Sequence, residues 1–63
     1  MTLLFVPDGL HGERVDVAAA RMTGLTRSRI ADLIGEGGVQ LSGRPVARAS
    51  TKVSAGDLLE VDI

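Results

Sequence analysis

The sequence predicts an α+β domain in which a two-helix hairpin packs on a small, mostly antiparallel sheet. Three observations carry that expectation. Apolar residues recur at helical spacing in two segments between residues 14 and 36, the period changes to two from Val39 onward, and glycine-bearing turns separate the segments. With 63 residues the chain is one small domain, able to bury only about 60% of the surface its extended form exposes.

The elements follow in order. Leu3 to Val6 is a short apolar run closed by Pro7-Asp8-Gly9, so residues 1–12 read as an amino-terminal arm or leading strand. In the first helix Val15, Ala18, Ala19 and Met22 fall at i, i+3, i+4 and i+7, and Gly24 is placed to stop it. Asp16 lies at its cap or in its first turn, where a carboxylate suits the helix dipole. The second helix runs from Arg27 to Ile34 or Gly35, with Ile30, Leu33 and Ile34 as its buried stripe and the glycines at 35, 37 and 38 ending it. The helical hairpin thus occupies residues 14–36 and the sheet residues 39–63. There Val39 and Leu41 alternate with Gln40, Ser42-Gly43 offers a tight turn, and Arg44-Pro45-Val46 begins the return. Lys52-Val53 is a brief extended piece before the turn Ser54-Ala55-Gly56-Asp57. The last strand alternates Leu59, Val61 and Ile63 against Glu60 and Asp62, and a chain ending on a core-facing isoleucine is expected to be a domain excised from a longer polypeptide.

Composition narrows the function. With no cysteine and a single histidine, His11, neither a thiolate site nor an imidazole cluster can be built, so no metal and no cofactor are expected. His11 itself reads as a loop residue without a partner. No apolar run approaches a membrane span, and Met1 to Val6 lacks a basic leader, which points to the cytoplasm. Nothing pairs Asp57, Glu60 and Asp62 for acid-base work, so no catalytic residue is expected, and they read as solubilising the last strand. The net charge is −1, yet every basic residue lies between positions 14 and 52, where seven cations face three acids, 7 − 3 = +4. One face can therefore attract phosphate while the whole remains slightly acidic.

The sharpest local signal is Leu25-Thr26-Arg27-Ser28-Arg29-Ile30. It reads as a helix start with Thr26 as N-cap and Leu25 and Ile30 as a hydrophobic staple, which places Arg27 and Arg29 against the positive end of the dipole. Each arginine should cost about 0.3–1 kcal/mol there, a penalty reversed if one phosphate takes the free amides and both guanidinium forks. On that reading, exchanging both arginines for glutamate abolishes binding and leaves the fold intact. Arg21 reads as a solvated helix-end charge, and Arg14 as packing or pairing locally.

The ordered set Gly12-Glu13-Arg14-Val15-Asp16, Thr26-Arg27-Ser28-Arg29, Ile34 to Gly43 and Ser50 to Val61 resembles the S4 RNA-binding domain over nearly the whole chain. The segment Ile34, Gly37, Val39, Leu41, Ser42, Gly43 follows that family's Ile-x-x-Gly-x-Val-x-Val-Asn-Gly pattern, and Val53, Gly56, Asp57 and Val61 follow its closing Val-x-x-Gly-Asp-x-x-x-Val. The leader Phe5 to Leu10 with Gly-x-Arg-Val-Asp looks most like the amino-terminal S4 domain of large-subunit ribosomal RNA pseudouridine synthases, whose separate, larger domain isomerises uridine. The resemblance implies a monomeric, non-catalytic module that docks structured, ribosomal RNA. Arg27, Ser28 and Arg29 would stand at the helix start, with Arg44, Arg48 and Lys52 along the rim of a basic groove. Asp16, despite its Arg-Val-Asp setting, is expected to be structural. Ser42 departs from the family's turn asparagine, and a different turn type there would re-aim Arg44.

With Phe5 as the only aromatic, no platform for stacking successive bases can be built, so recognition should run through backbone and shape. S4 domains of other hosts, such as tRNA synthetases or ribosome-associated proteins, share the same motifs. A ubiquitin-like interaction or sulfur-carrier domain also shows Val-x-Leu-x-Gly followed later by Gly-Asp-x-x-x-Val, but it needs a flexible Gly-Gly terminus, where this chain has Val61-Asp62-Ile63, and does not open its core with two helices.

Overall fold

Helix ends and turns fall where the sequence supplies residues that tolerate them. The computed structural model describes residues 2–63. It contains β1 (Thr2–Phe5), a single 3-10 turn (Asp8–Leu10), α1 (Val15–Thr23), α2 (Arg27–Gly35), β2 (Val39–Leu41), β3 (Arg44–Pro45) and β4 (Leu58–Val61). The four strands form one wholly antiparallel sheet in the order β1-β4-β2-β3.

Gly24 closes α1 in the left-handed region, φ 81°, and its amide donates to the Ala20 carbonyl. Thr26 caps α2 by accepting from the Arg29 amide at 3.1 Å, as its spacing predicts. At the other end Gly38 N donates to Leu33 O and Gly37 N to Ile34 O, with Gly37 at φ 78°. This is a Schellman closure, and it satisfies carbonyls that the last helical turn would leave bare.

Register places Val39 and Leu41 beside Val61 and Leu59 on the helix-facing side of the sheet. There Val39, Leu59 and Val61 are fully buried against Val15, Ala18, Ala19 and Ile30, with Leu33 and Val53 completing the centre of the core. The opposite face carries Leu3 and Phe5, which are exposed.

The β2–β3 connection is a two-residue turn with Ser42 at φ 50° and Gly43 at φ 83°, the signs of a type I′ hairpin. Serine thus adopts the conformation that asparagine takes more readily. It is held there by its amide bond to Leu58 O at 2.7 Å and by a hydroxyl bond to Asp57 Oδ1 at 3.3 Å.

Three expectations need correction. Ile63 is 63% exposed rather than core-facing, because the β4 ladder ends at Val61 and the chain leaves the sheet. His11 has a partner, accepting the Ala55 amide at its Nδ1 at 3.0 Å, a contact across 44 residues of sequence. Asp57 does more than solubilise: its Oδ2 accepts the Ser54 amide at 2.8 Å and closes the turn before β4.

Candidate nucleic-acid interface

The site is organised by a buried carboxylate. Asp16 lies one residue inside α1 and is 4% exposed. Arg14 donates to it from Nε and from Nη2, both at 3.2 Å, so the guanidinium fork grips both carboxylate oxygens. Arg27 reaches across from the first turn of α2 and donates from Nη2 to Oδ2 at 3.3 Å. The Val17 amide donates to Oδ1 at 2.8 Å. Burial is the largest single influence on this carboxyl and acts to raise its pKa. The Val17 amide, the Arg14 charge, and the hydrogen bond and charge of Arg27 together outweigh it and hold the carboxyl below its ordinary 3.8. Two cations share one anion here, and the guanidinium side chains remain 48% and 59% exposed. The assembly therefore presents net positive charge outward while its negative member is concealed.

This geometry revises the reason for Arg27 and Arg29. Residues two apart on a helix diverge by about 200°, so the two forks leave α2 in different directions and do not close on one phosphate. Arg27 meets Asp16, which offsets the dipole penalty from within the domain. Arg29 runs along α2 to Glu36, a loose contact of 3.9 Å between exposed side chains. What stays open at the helix start is the backbone: among the described residues the amides of Arg27 and Ser28 have no acceptor, and Ser28 is exposed beside them.

The segment after β3 is fastened to the start of α1. Val15 N donates to Thr51 O at 2.6 Å, Asp16 N to Ala49 O at 3.4 Å, and Arg14 bridges Lys52 as an antiparallel pair. The first amides of α1 are thus taken up by loop carbonyls. Lys52, expected on a short extended piece, forms only this isolated bridge, which brings it next to Arg14.

A concavity of about 340 Å³ opens between the β2–β3 hairpin and this fastened loop. Leu41, Pro45, Val46 and Ala47 give it an apolar lining, and Arg44, Arg48 and Thr51 a polar one. No acidic residue lines it. Among the described residues Arg44, Arg48 and Lys52 make no ion pair, and all three are exposed. The structure thus gathers Arg44 with Arg48, and Lys52 with Arg14 and Arg27, joined through the 48–52 segment. Ser28 adjoins the second group, and Arg29 turns away from it. Arg14 pairs locally with Asp16, as the sequence leads one to expect, and still faces solvent.

The S4 domain family matches residues 13–59, which include both cationic groups and the groove that Arg44 and Arg48 line. The chain belongs to the S4 domain family. As an S4 domain it is also similar to two curated proteins, uncharacterized RNA pseudouridine synthases of Mycobacterium bovis and Mycobacterium tuberculosis, each 50% identical over 56 residues. The aligned region is 89% of this chain and 18% of each relative, so the S4 domain here spans under a fifth of their length. Among the described residues of this S4 domain, no helix is long and apolar enough to cross a membrane, and no three or more His, Asp or Glu side chains come together.

Proposed function

We propose that this S4 domain is an RNA-binding module that docks structured, ribosomal RNA by its phosphate backbone and shape. It would act as a cytoplasmic monomer in the service of a pseudouridine synthase whose catalytic part lies outside these residues. The carrying observation is the unpaired cationic pair Arg44 and Arg48 on a groove without acids, continuous through the 48–52 segment with Lys52 and the Arg14–Asp16–Arg27 cluster. Phosphates along one RNA strand would contact Arg44 and Arg48 first, then Lys52, and then the open amides of Arg27 and Ser28. Arg29 contributes from the side, through the general field rather than through the groove. Each cation displaces condensed counterions, so affinity depends steeply on salt. On this reading the domain supplies binding, and the pseudouridine synthesis named for the relatives is assigned to the remainder of such a polypeptide.

The test is titration of the domain with a ribosomal RNA hairpin at several salt concentrations, repeated with the Arg44→Glu/Arg48→Glu double variant. Binding should weaken steeply with salt, and the double variant should lose about tenfold or more in affinity with an unchanged circular dichroism spectrum. Affinity that ignores both salt and the double substitution overturns the reading.

A further inference from the structure

We infer that the groove beside β3 holds one unpaired nucleotide of the RNA, with its base out of the helical stack, and is therefore a site for a bulge or loop and not for a continuous duplex. The inference rests on the RNA-binding reading and deepens it. Its starting point is a mismatch between what phosphate needs and what the groove offers. Arg44 and Arg48 would suffice for a phosphate on a flat surface. Here they stand over a concavity of about 340 Å³, within the range of small-ligand sites.

Part of the apolar lining is an outcrop of the hydrophobic core. Val46 is 5% exposed and belongs to the core cluster, and Leu41 is half-buried against it. Pro45 and Ala47, both exposed, complete the apolar lining. A phosphodiester has no use for such a surface, and a paired base cannot leave its helix to reach it. A splayed-out base can cover the apolar lining with its face while its own and the following phosphate meet the two guanidinium groups. The Arg44 and Arg48 planes also give a flat partner for stacking in a protein whose only aromatic, Phe5, lies on β1 at the opposite edge of the sheet.

Thr51 adds a hydroxyl that can donate to or accept from a base edge. Its carbonyl is committed to the Val15 amide at 2.6 Å, so the residue's position is set by the fold. Ligand chemistry follows from these three components: an anion for the arginines, a flat weakly polar ring for the apolar lining, and an edge with hydrogen-bonding groups for the threonine. A nucleotide carries all three in one unit.

The experiment compares two RNA hairpins of identical stem, one fully paired and one carrying a single bulged adenosine, titrated against the unaltered domain and against Ala47→Leu and Thr51→Val. Leucine at the exposed position 47 adds apolar bulk to the groove and changes no charge, and valine at 51 keeps the carbonyl that α1 requires. The bulged hairpin should bind about fivefold or more tightly than the paired one. Ala47→Leu should erase that preference, and Thr51→Val should reduce it. Equal affinity for the two hairpins overturns this inference and leaves RNA binding standing. A preference that survives Ala47→Leu places the bulge elsewhere and also overturns it. Failure of both hairpins to bind overturns the RNA-binding reading itself, and this inference with it.

Discussion

Asp16 Oδ2 accepts a hydrogen bond from Arg27 Nη2 at 3.3 Å, tying the first turn of α1 to the first turn of α2. With Arg14 on the same carboxylate, the residue most easily mistaken for an active-site acid is a structural clamp.

Replacing that clamp should be costly. Asp16→Asn keeps the size but removes the charge that two guanidinium groups share, and the arginines can partly recover water at the surface. The expected loss is about 1–3 kcal/mol, read as a lower urea midpoint with unchanged slope. A midpoint within error of the unaltered domain would remove Asp16 from the account of stability.

The same carboxylate sets a pH dependence. Its folded-state pKa lies below the ordinary 3.8, so between the folded and ordinary values the unfolded chain binds more protons than the native one. Its stabilising contribution is therefore complete above the unfolded value and is lost as pH falls through the folded value. Acid titration of stability should show a falling limb in that region for the native domain and a shallower one for Asp16→Asn. Identical limbs in the two proteins would contradict the assignment.

Arg27 and Arg29 should respond differently to charge reversal. Arg27→Glu sets a second carboxylate against buried Asp16 and should cost about 1–3 kcal/mol of stability. Arg29→Glu gives up an exposed 3.9 Å contact with Glu36, worth about 0–1 kcal/mol, and the new carboxylate at the favourable end of the α2 dipole offsets that loss. The two denaturation midpoints, measured side by side, test this ordering. It also means that an Arg27→Glu/Arg29→Glu double variant is no clean probe of RNA contact, contrary to the expectation from sequence.

Ser42 sits at φ 50°, in a region where asparagine is the more tolerant residue. Ser42→Asn should leave stability unchanged or raise it by up to about 1 kcal/mol. Gly43→Ala, at φ 83°, should lower it by about 1–2 kcal/mol. Thermal melting distinguishes the two directions, and a stabilising Gly43→Ala would show that this turn is not of type I′.

What was legible in the sequence was whatever is decided within a few residues. Thr26 bonds three positions ahead, Gly24 and Gly37 end helices by their own backbone freedom, and the alternation of Val39 and Leu41 fixes which way each faces. Four contacts that join the elements lie far apart in sequence. Arg27 meets Asp16 across 11 positions, His11 meets Ala55 across 44, and Thr51 and Ala49 cap a helix that begins at Val15. Such pairings depend on how the helical hairpin settles on the sheet, which no local pattern encodes. Arg27 illustrates the difference: its unfavourable place in the dipole was correctly read, but the anion that compensates it belongs to the protein.

The attachment of the 48–52 segment to α1 bears on how fast and how tightly the groove can be filled. Arg14, the N-cap residue of α1, offers no side-chain acceptor to the helix, and the Thr51 and Ala49 carbonyls take that place. Pulling the segment away would strip a helix of its cap, so this wall cannot swing as a flap. An arriving molecule meets a shape already fixed, and the freedom that a floppy loop forfeits on association was surrendered when the chain folded. Encounter should then resemble insertion into a rigid mould, with departure rather than entry setting the lifetime of the complex.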